Sequence, residues 1–122
     1  MKVAVLGASD NPERYSYKAV MRLSENGHEV FPVHPKLKSI GNIPVFASLA
    51  DIPGEFDTLT LYVSPEISSK VSGEILKVRP KRIIFNPGSE NAELASKVRK
   101  EGIHTVEACT LTLLATRQFE KA

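Results

Sequence analysis

Strand-like apolar runs and helix-periodic segments alternate along this chain, and that alternation constrains its fold more than any single motif does. Lys2–Leu6, Glu29–Val33, Thr58–Val63, Arg82–Asn86 and His104–Cys109 read as strands, the third most clearly because it is β-branched and aromatic. Helices are predicted between them over about Ser16–Asn26, Pro65–Val78 and Ser89–Glu101, with a last one from Thr110 to about Phe119. Pro44-Val45-Phe46 suggests a short edge strand, and Ser48–Pro53 a single helical turn stopped by proline. Strand–helix–strand repeats build βαβ units around a parallel sheet. The expectation is an α/β fold with a five- to six-stranded, mainly parallel sheet.

Local signals agree with that division. In the first helix Ser16 is the candidate N-cap, Ala19, Val20 and Leu23 mark the buried stripe, and Gly27 stands where a terminating glycine belongs. Ile67, Val71, Ile75 and Val78 share one face of the second helix, which Pro80 ends; Ala92, Ala95 and Val98 mark the third, closed by Gly102. With 122 residues the chain is expected to be one domain, residues 1–122, with no room for a second catalytic unit. No apolar run approaches the roughly 18 residues that cross a bilayer. The first residues enter a strand without a leader's apolar region, so a soluble, cytoplasmic protein is expected. One cysteine and three unpaired histidines argue against a disulfide framework or a metal site, and a net charge of +2 makes no case for nucleic acid.

In an open parallel sheet, ligands bind outside the carboxyl ends of the strands, where the strand order reverses. The residues that follow the strands are Gly7-Ala8-Ser9, His34-Pro35-Lys36, Ser64-Pro65, Asn86-Pro87-Gly88 and Cys109-Thr110. This rim holds almost no acid or base suited to proton transfer, so it reads as a binding surface rather than a reaction centre. Its cations are Arg14, Lys18, Lys36 and Lys38. The basic run Lys77, Arg79, Lys81 and Arg82 falls at the opposite edge and reads as solvated charge near a helix C-terminus. In the opening loop, free N–H groups near Ser16, the hydroxyls of Ser9 and Ser16 and the guanidinium of Arg14 converge at the positive end of a helix, a setting that fits a phosphate. A purely structural turn capped by Ser16 is the other reading.

The loop has the position of a dinucleotide fingerprint but only the first of its three glycines. Strand two ends in Val33-His34-Pro35-Lys36, a cation where the ribose-binding acid should be, which disfavours NAD. Lys36 suits the 2′-phosphate of NADP or a 3′-phosphate equally well. Among possible chemical groups, His34 stands on the rim with Glu66 as the nearest guess for an orienting acid, and Cys109 reads as a small buried residue with some chance of meeting a thiol ligand. Tyr15 could stack on a base or pack locally; His28 and His104 begin strands and read as structural. No catalytic residue is assigned.

The stretches "GASDNPERYS" (7–16), "VFPVHPK" (30–36), "SLADIP" (48–53), "YVSPE" (62–66), "NPGSENAE" (86–93) and "EAC" (107–109) carry a resemblance over essentially the whole chain. It resembles the small stand-alone CoA-binding domain proteins, which are related to the N-terminal CoA-binding domain of the succinyl-CoA synthetase alpha subunit. The resemblance implies a Rossmann-like three-layer α/β/α sandwich, CoA or an acyl-CoA as ligand, and no established reaction for stand-alone members. It implies that Gly7, Ala8, Ser9, Arg14 and Ser16 form the phosphate loop, Pro35 and Lys36 the turn after strand two, and Val63 and Pro65 the strand end flanking the nucleotide. The family's usual Val-Asn-Pro is Val33-His34-Pro35 here, and Ile84 and Asn86 stand where a tryptophan and a glutamine are usual. The functional expectation is a CoA-binding protein without catalytic activity of its own. The alternatives are a partner or subunit of an acyl-CoA metabolic enzyme and an NAD(P)-type nucleotide-binding regulator. A homodimer or protein partner stays open, because Leu113 and Leu114 suit either a dimer face or a core.

Overall fold

The computed structural model describes residues 1–122. Its main sheet contains β1 (Lys2–Leu6), β2 (Glu29–Val33), β5 (Thr58–Leu61), β6 (Arg82–Phe85) and β7 (His104–Glu107), in the order β2-β1-β5-β6-β7. Every neighbouring pair is parallel. The central strands β5 and β6 are buried at every position, as strands covered on both faces must be. Helices α1 (Tyr15–Glu25) and α5 (Thr110–Ala115) cover one face around Val3, Val5, Val20, Leu23, Ile84 and Leu113. On the other face, α2 (Pro65–Lys70), α3 (Ser72–Val78), α4 (Ala92–Lys100) and a 3-10 turn at Leu49–Asp51 enclose a core with Ala4, Leu59, Leu61, Ile75, Ile83, Phe85 and Leu94. This is the Rossmann-like α/β/α arrangement, with five strands.

The segment after β2 differs from expectation. Ser39–Ile40 (β3) and Ile43–Pro44 (β4) pair as a separate antiparallel hairpin, and Phe46 makes only a lone parallel bridge to Val33. Pro44 cannot donate to a ladder, which suits it to this small hairpin rather than to a strand of the main sheet. The segment predicted as one helix over 65–78 breaks at Val71 (φ −102°, ψ 12°), just before a Ser72-Gly73 pair of the kind at which helices bend. The break leaves Ile67 exposed instead of on the buried stripe with Ile75. Helix α4 starts at Ala92, three residues later than expected, because Asn91 caps it by accepting from the Leu94 amide at 3.0 Å. Leu113 is buried, and Leu114, partly buried, packs against the same core.

The basic run at the far edge also needs correction. Lys77, Arg79 and Lys81 are exposed, but Arg82 is buried. Its guanidinium donates to Thr58 Oγ1 at 3.0 Å, to the Phe119 carbonyl and to the Ala122 carbonyl at 2.9 Å, and lies 4.6 Å from the Phe119 ring centroid. Arg82 therefore ties the end of the chain to the bottom of the sheet.

Candidate functional site

The register brings three strands to a common level: Leu6 pairs with Val33 on one side and with Leu61 on the other. Their next residues, Gly7, His34 and Tyr62, line the same cavity of about 990 Å³. The chain runs from β1 outward to β2 and then crosses back to β5 on the other side of β1, so the order reverses where the cavity lies. Its size falls within the roughly 300–1,000 Å³ of small-molecule sites.

Of the site residues expected from sequence, Gly7, Ala8, Ser9, Arg14, Ser16, Pro35, Lys36 and Val63 all line this cavity, and Pro65 does not. Pro65 is the first residue of α2, preset by its fixed φ, behind Ser64, whose hydroxyl accepts from the Ile67 amide at 3.3 Å. The cavity wall continues instead through Ile67, Val71 and Glu74, together with Leu49 of the 3-10 turn. Residues in a kinked helix and a distant turn carry no mutual sequence signal, although the aliphatic repeat at 67 and 71 marked an apolar face.

Helix α1 begins one residue earlier than expected, with Arg14 and not Ser16 at its N-cap. Arg14 offers no capping acceptor, and the first turn contains no acid. Ser16 is buried in that turn and makes no cap bond. The first intrahelical bond runs from the Lys18 amide to the Arg14 carbonyl, so the amides of Tyr15, Ser16 and Tyr17 have no acceptor within the chain. A helix start with open donors, a lining arginine and no acid in its first turn is suited to an anion, with Asp10 the one carboxylate of the loop at the cavity. By contrast, the Gly7 and Ala8 amides both donate to the Val33 carbonyl at 3.2 Å and are already used. Ser9 Oγ accepts from the Asn11 amide at 3.0 Å and Asn11 Oδ1 from the Glu13 amide at 3.0 Å, bracing the loop between strand and helix.

Gly7 is required by packing beneath the cavity. It sits at φ +86°, and a Cβ there would lie 2.6 Å from the Tyr62 carbonyl oxygen and 2.7 Å from Val63 Cγ1. The glycine thus lets the end of β1 cross tightly against the end of β5.

On the β2 side, His34 Nδ1 accepts from the Lys36 amide at 3.0 Å and the Leu37 amide at 3.3 Å. With Nδ1 accepting, the ring proton is on Nε2, and the imidazole shapes the turn that presents Lys36. No bond joins His34 to Glu66. Arg14 and Lys36 are exposed and belong to none of the chain's ion pairs. Tyr15 is 70% exposed at the cavity wall, with Lys18 Nζ 5.6 Å from its ring centroid.

The rest of the rim is closed. Asn86 is buried and donates to Thr60 Oγ1 at 2.6 Å and the Leu61 carbonyl at 2.9 Å, while its Oδ1 accepts from the Thr110 amide at 2.8 Å. Thr60 and Thr110 hydroxyls meet at 2.7 Å. This network seals the ends of β5 and β6 against α5. Cys109 stands beside it, half-buried and outside the cavity. Burial pushes its thiol up, but the nearby Thr112 hydroxyl and the Thr112 and Leu111 amides at the start of α5 outweigh that and hold it below the usual thiol value. Tyr62 lines the cavity with its hydroxyl buried; burial pushes that phenol well above its usual value, with the Thr110 side chain offsetting part of the effect.

Comparison with known proteins adds to this geometry. Residues 1–115 match the protein family described as CoA binding domain. The chain is 26% identical over 101 residues to the uncharacterized protein YneT of Bacillus subtilis (strain 168), a match covering 83% of this chain and 75% of that protein. It is 28% identical over 126 residues to the ADP-forming acetate–CoA ligase II of Archaeoglobus fulgidus, covering 93% of this chain but only 19% of the ligase. A crystal structure described as an uncharacterized protein superposes with a TM-score of 0.90 at 39% identity, covering 97% of each chain.

Proposed function

Because this chain belongs to the CoA-binding domain family, we propose that its cavity binds coenzyme A or an acyl-CoA and that the protein has no catalytic activity of its own. The observation that carries this reading is the uncapped start of α1 facing a cavity at the strand-order reversal, with Arg14 and Lys36 exposed at its wall. CoA presents a diphosphate, a 3′-phosphate, a base and a long amide arm. The open amides of the first turn and Arg14 suit the diphosphate, Lys36 suits the 3′-phosphate, and the apolar wall formed by Val63, Ile67 and Val71 suits the uncharged parts. Partly buried charge-assisted bonds of this kind contribute about 1.5–3 kcal/mol each. Residues 1–122 form one CoA-binding unit in this reading.

The cavity's titratable groups support a role in binding without catalysis. His34 spends Nδ1 on its own turn, Glu74 accepts a backbone hydrogen bond, and Asp10 is exposed on the loop, so no acid and base are paired across a reacting position. A second reading draws on the ligase relative: the chain acts as the CoA-holding part of a larger acyl-CoA enzyme assembly. CoA-dependent capture of a partner with ligase activity would support it.

Thermal unfolding with CoA, dephospho-CoA, ADP, NAD and NADP, each at about a millimolar, tests the main reading. A ligand at about 100 times its dissociation constant adds about 2.7 kcal/mol, a shift of several degrees for a chain of this size. The expected result is the largest shift with CoA, a smaller one with dephospho-CoA and none with NAD. No shift with any CoA species would overturn the assignment.

A further inference from the structure

The cavity is chemically two-sided. Arg14 and the open amides of α1 belong to the layer on one face of the sheet, whereas Leu49 and Val71 pack into the core on the other face. Glu74 lies on this second wall, on α3, where that helix packs against the 3-10 turn. Its Oε1 accepts from the Ala50 amide at 3.1 Å, which fixes the carboxylate in place. Oε2 makes no hydrogen bond or ion pair within the chain.

Glu74 repels phosphate from its own wall, whereas the α1 side offers Arg14 and the open amides beside its one carboxylate, Asp10, so the anionic part of a ligand is better placed there. What faces Glu74 must carry no negative charge and must donate a hydrogen bond, since an ionised carboxylate only accepts, and the uncharged donors of CoA meet that condition. Beside it, Leu49, Val71 and the 48%-exposed Ile67 provide the apolar surface on which a flat ring can lie. An exposed isoleucine at this wall is explained if the ring covers it.

Resting on the CoA reading above, we propose that Glu74 is the base-reading residue of the site: its free Oε2 accepts from the exocyclic 6-amino group of adenine and rejects a purine with a carbonyl oxygen at that position. The Ala50 bond orients the reader, and the apolar wall supplies the contact area.

The test compares CoA with its 6-oxo analogue, in which a carbonyl replaces the adenine amino group, by calorimetry on the wild-type protein and on Glu74→Gln. In the variant the amide oxygen keeps the Ala50 bond while its NH₂ takes the place of Oε2, turning an acceptor into a donor. The wild type should favour CoA by about tenfold or more, the worth of one charge-assisted hydrogen bond. In Glu74→Gln that preference should fall at least tenfold, with an unchanged unfolding midpoint. A merely structural tether to Ala50 would leave the ratio unaltered. Equal affinity for both ligands in the wild type, or the same ratio in a folded Glu74→Gln, would refute base reading while leaving CoA binding intact. Failure of the wild type to bind CoA at all would remove both assignments together.

Discussion

The two ends of the sheet use arginine in opposite ways. At the carboxyl ends of β1, β2 and β5, Arg14 stands exposed beside a cavity, without an ion pair and at the head of an uncapped helix. At the opposite edge, Arg82 is only 5% exposed, its guanidinium satisfied by Thr58 and by the Phe119 and Ala122 carbonyls and stacked on the Phe119 ring. His28 joins the same cluster, with its ring 5.1 Å from Phe119 and its Nδ1 3.1 Å from the Met1 amino group. A buried cation whose donors are taken up mostly by the chain's own hydroxyl and carbonyl oxygens holds the fold, whereas one with open donors is available to a ligand.

The sharpest way to break that contrast is to remove Arg82. Arg82→Ala leaves two carbonyls and a buried threonine hydroxyl without their donor, and should lower stability by about 3 kcal/mol in urea unfolding while CoA affinity of the folded protein stays at its wild-type value. A loss below about 1 kcal/mol would show that the buried arginine is not a fastener. Gly7→Ala should cost about 2 kcal/mol, because a Cβ meets the Tyr62 carbonyl at a positive φ. Since Gly7 lies in the cavity floor, binding should weaken with it; unchanged stability would contradict the tight crossing of β1 and β5.

Arg14→Ala and Lys36→Ala should act in the reverse sense. Each should reduce CoA affinity about tenfold, with unfolding midpoints within about 0.5 kcal/mol of the wild type. Unaltered calorimetric affinity in both variants would end the case for an anion site there. The smallest effect concerns pH. Burial first, with help from the Met1 amino group and Arg82 against Glu120 and a Met1 backbone hydrogen bond, holds the His28 pKa below its ordinary 6.5. The unfolded chain then binds the extra proton, so stability contributed by neutral His28 is present above pH 6.5 and declines as pH falls below it. Replacing His28 with glutamine should flatten that part of the stability profile; an identical slope in the variant would count against the cluster's titration.

Much of the architecture was legible because hydrophobic periodicity reports on local geometry. The alternating segments correctly indicated a parallel sheet, and the rule that ligands sit beyond strand ends directed attention to Gly7, His34 and Lys36. Where expectation failed, a distant contact decided the outcome. Arg82 reads as one more exposed charge until Phe119 and Ala122 are folded beneath it. Val71 looks like the middle of a helix, yet the bend there moves Ile67 from the core to the cavity wall. Asn86 closes its half of the rim only because Thr60 and Thr110, far apart in the chain, converge on it.

The amino-acid sequence by itself therefore determined the alternation of the five main strands with helices, the absence of any helix long and apolar enough to cross a membrane, and the loop that carries Arg14. These depend on side-chain periodicity and turn chemistry within a few residues. Only the tertiary structure decided which cations are buried, which half of the rim is open, and that Glu74 shares a cavity with the start of α1. Those outcomes turn on desolvation and hydrogen-bond satisfaction, which depend on what packs nearby in space and leave no periodic mark along the chain.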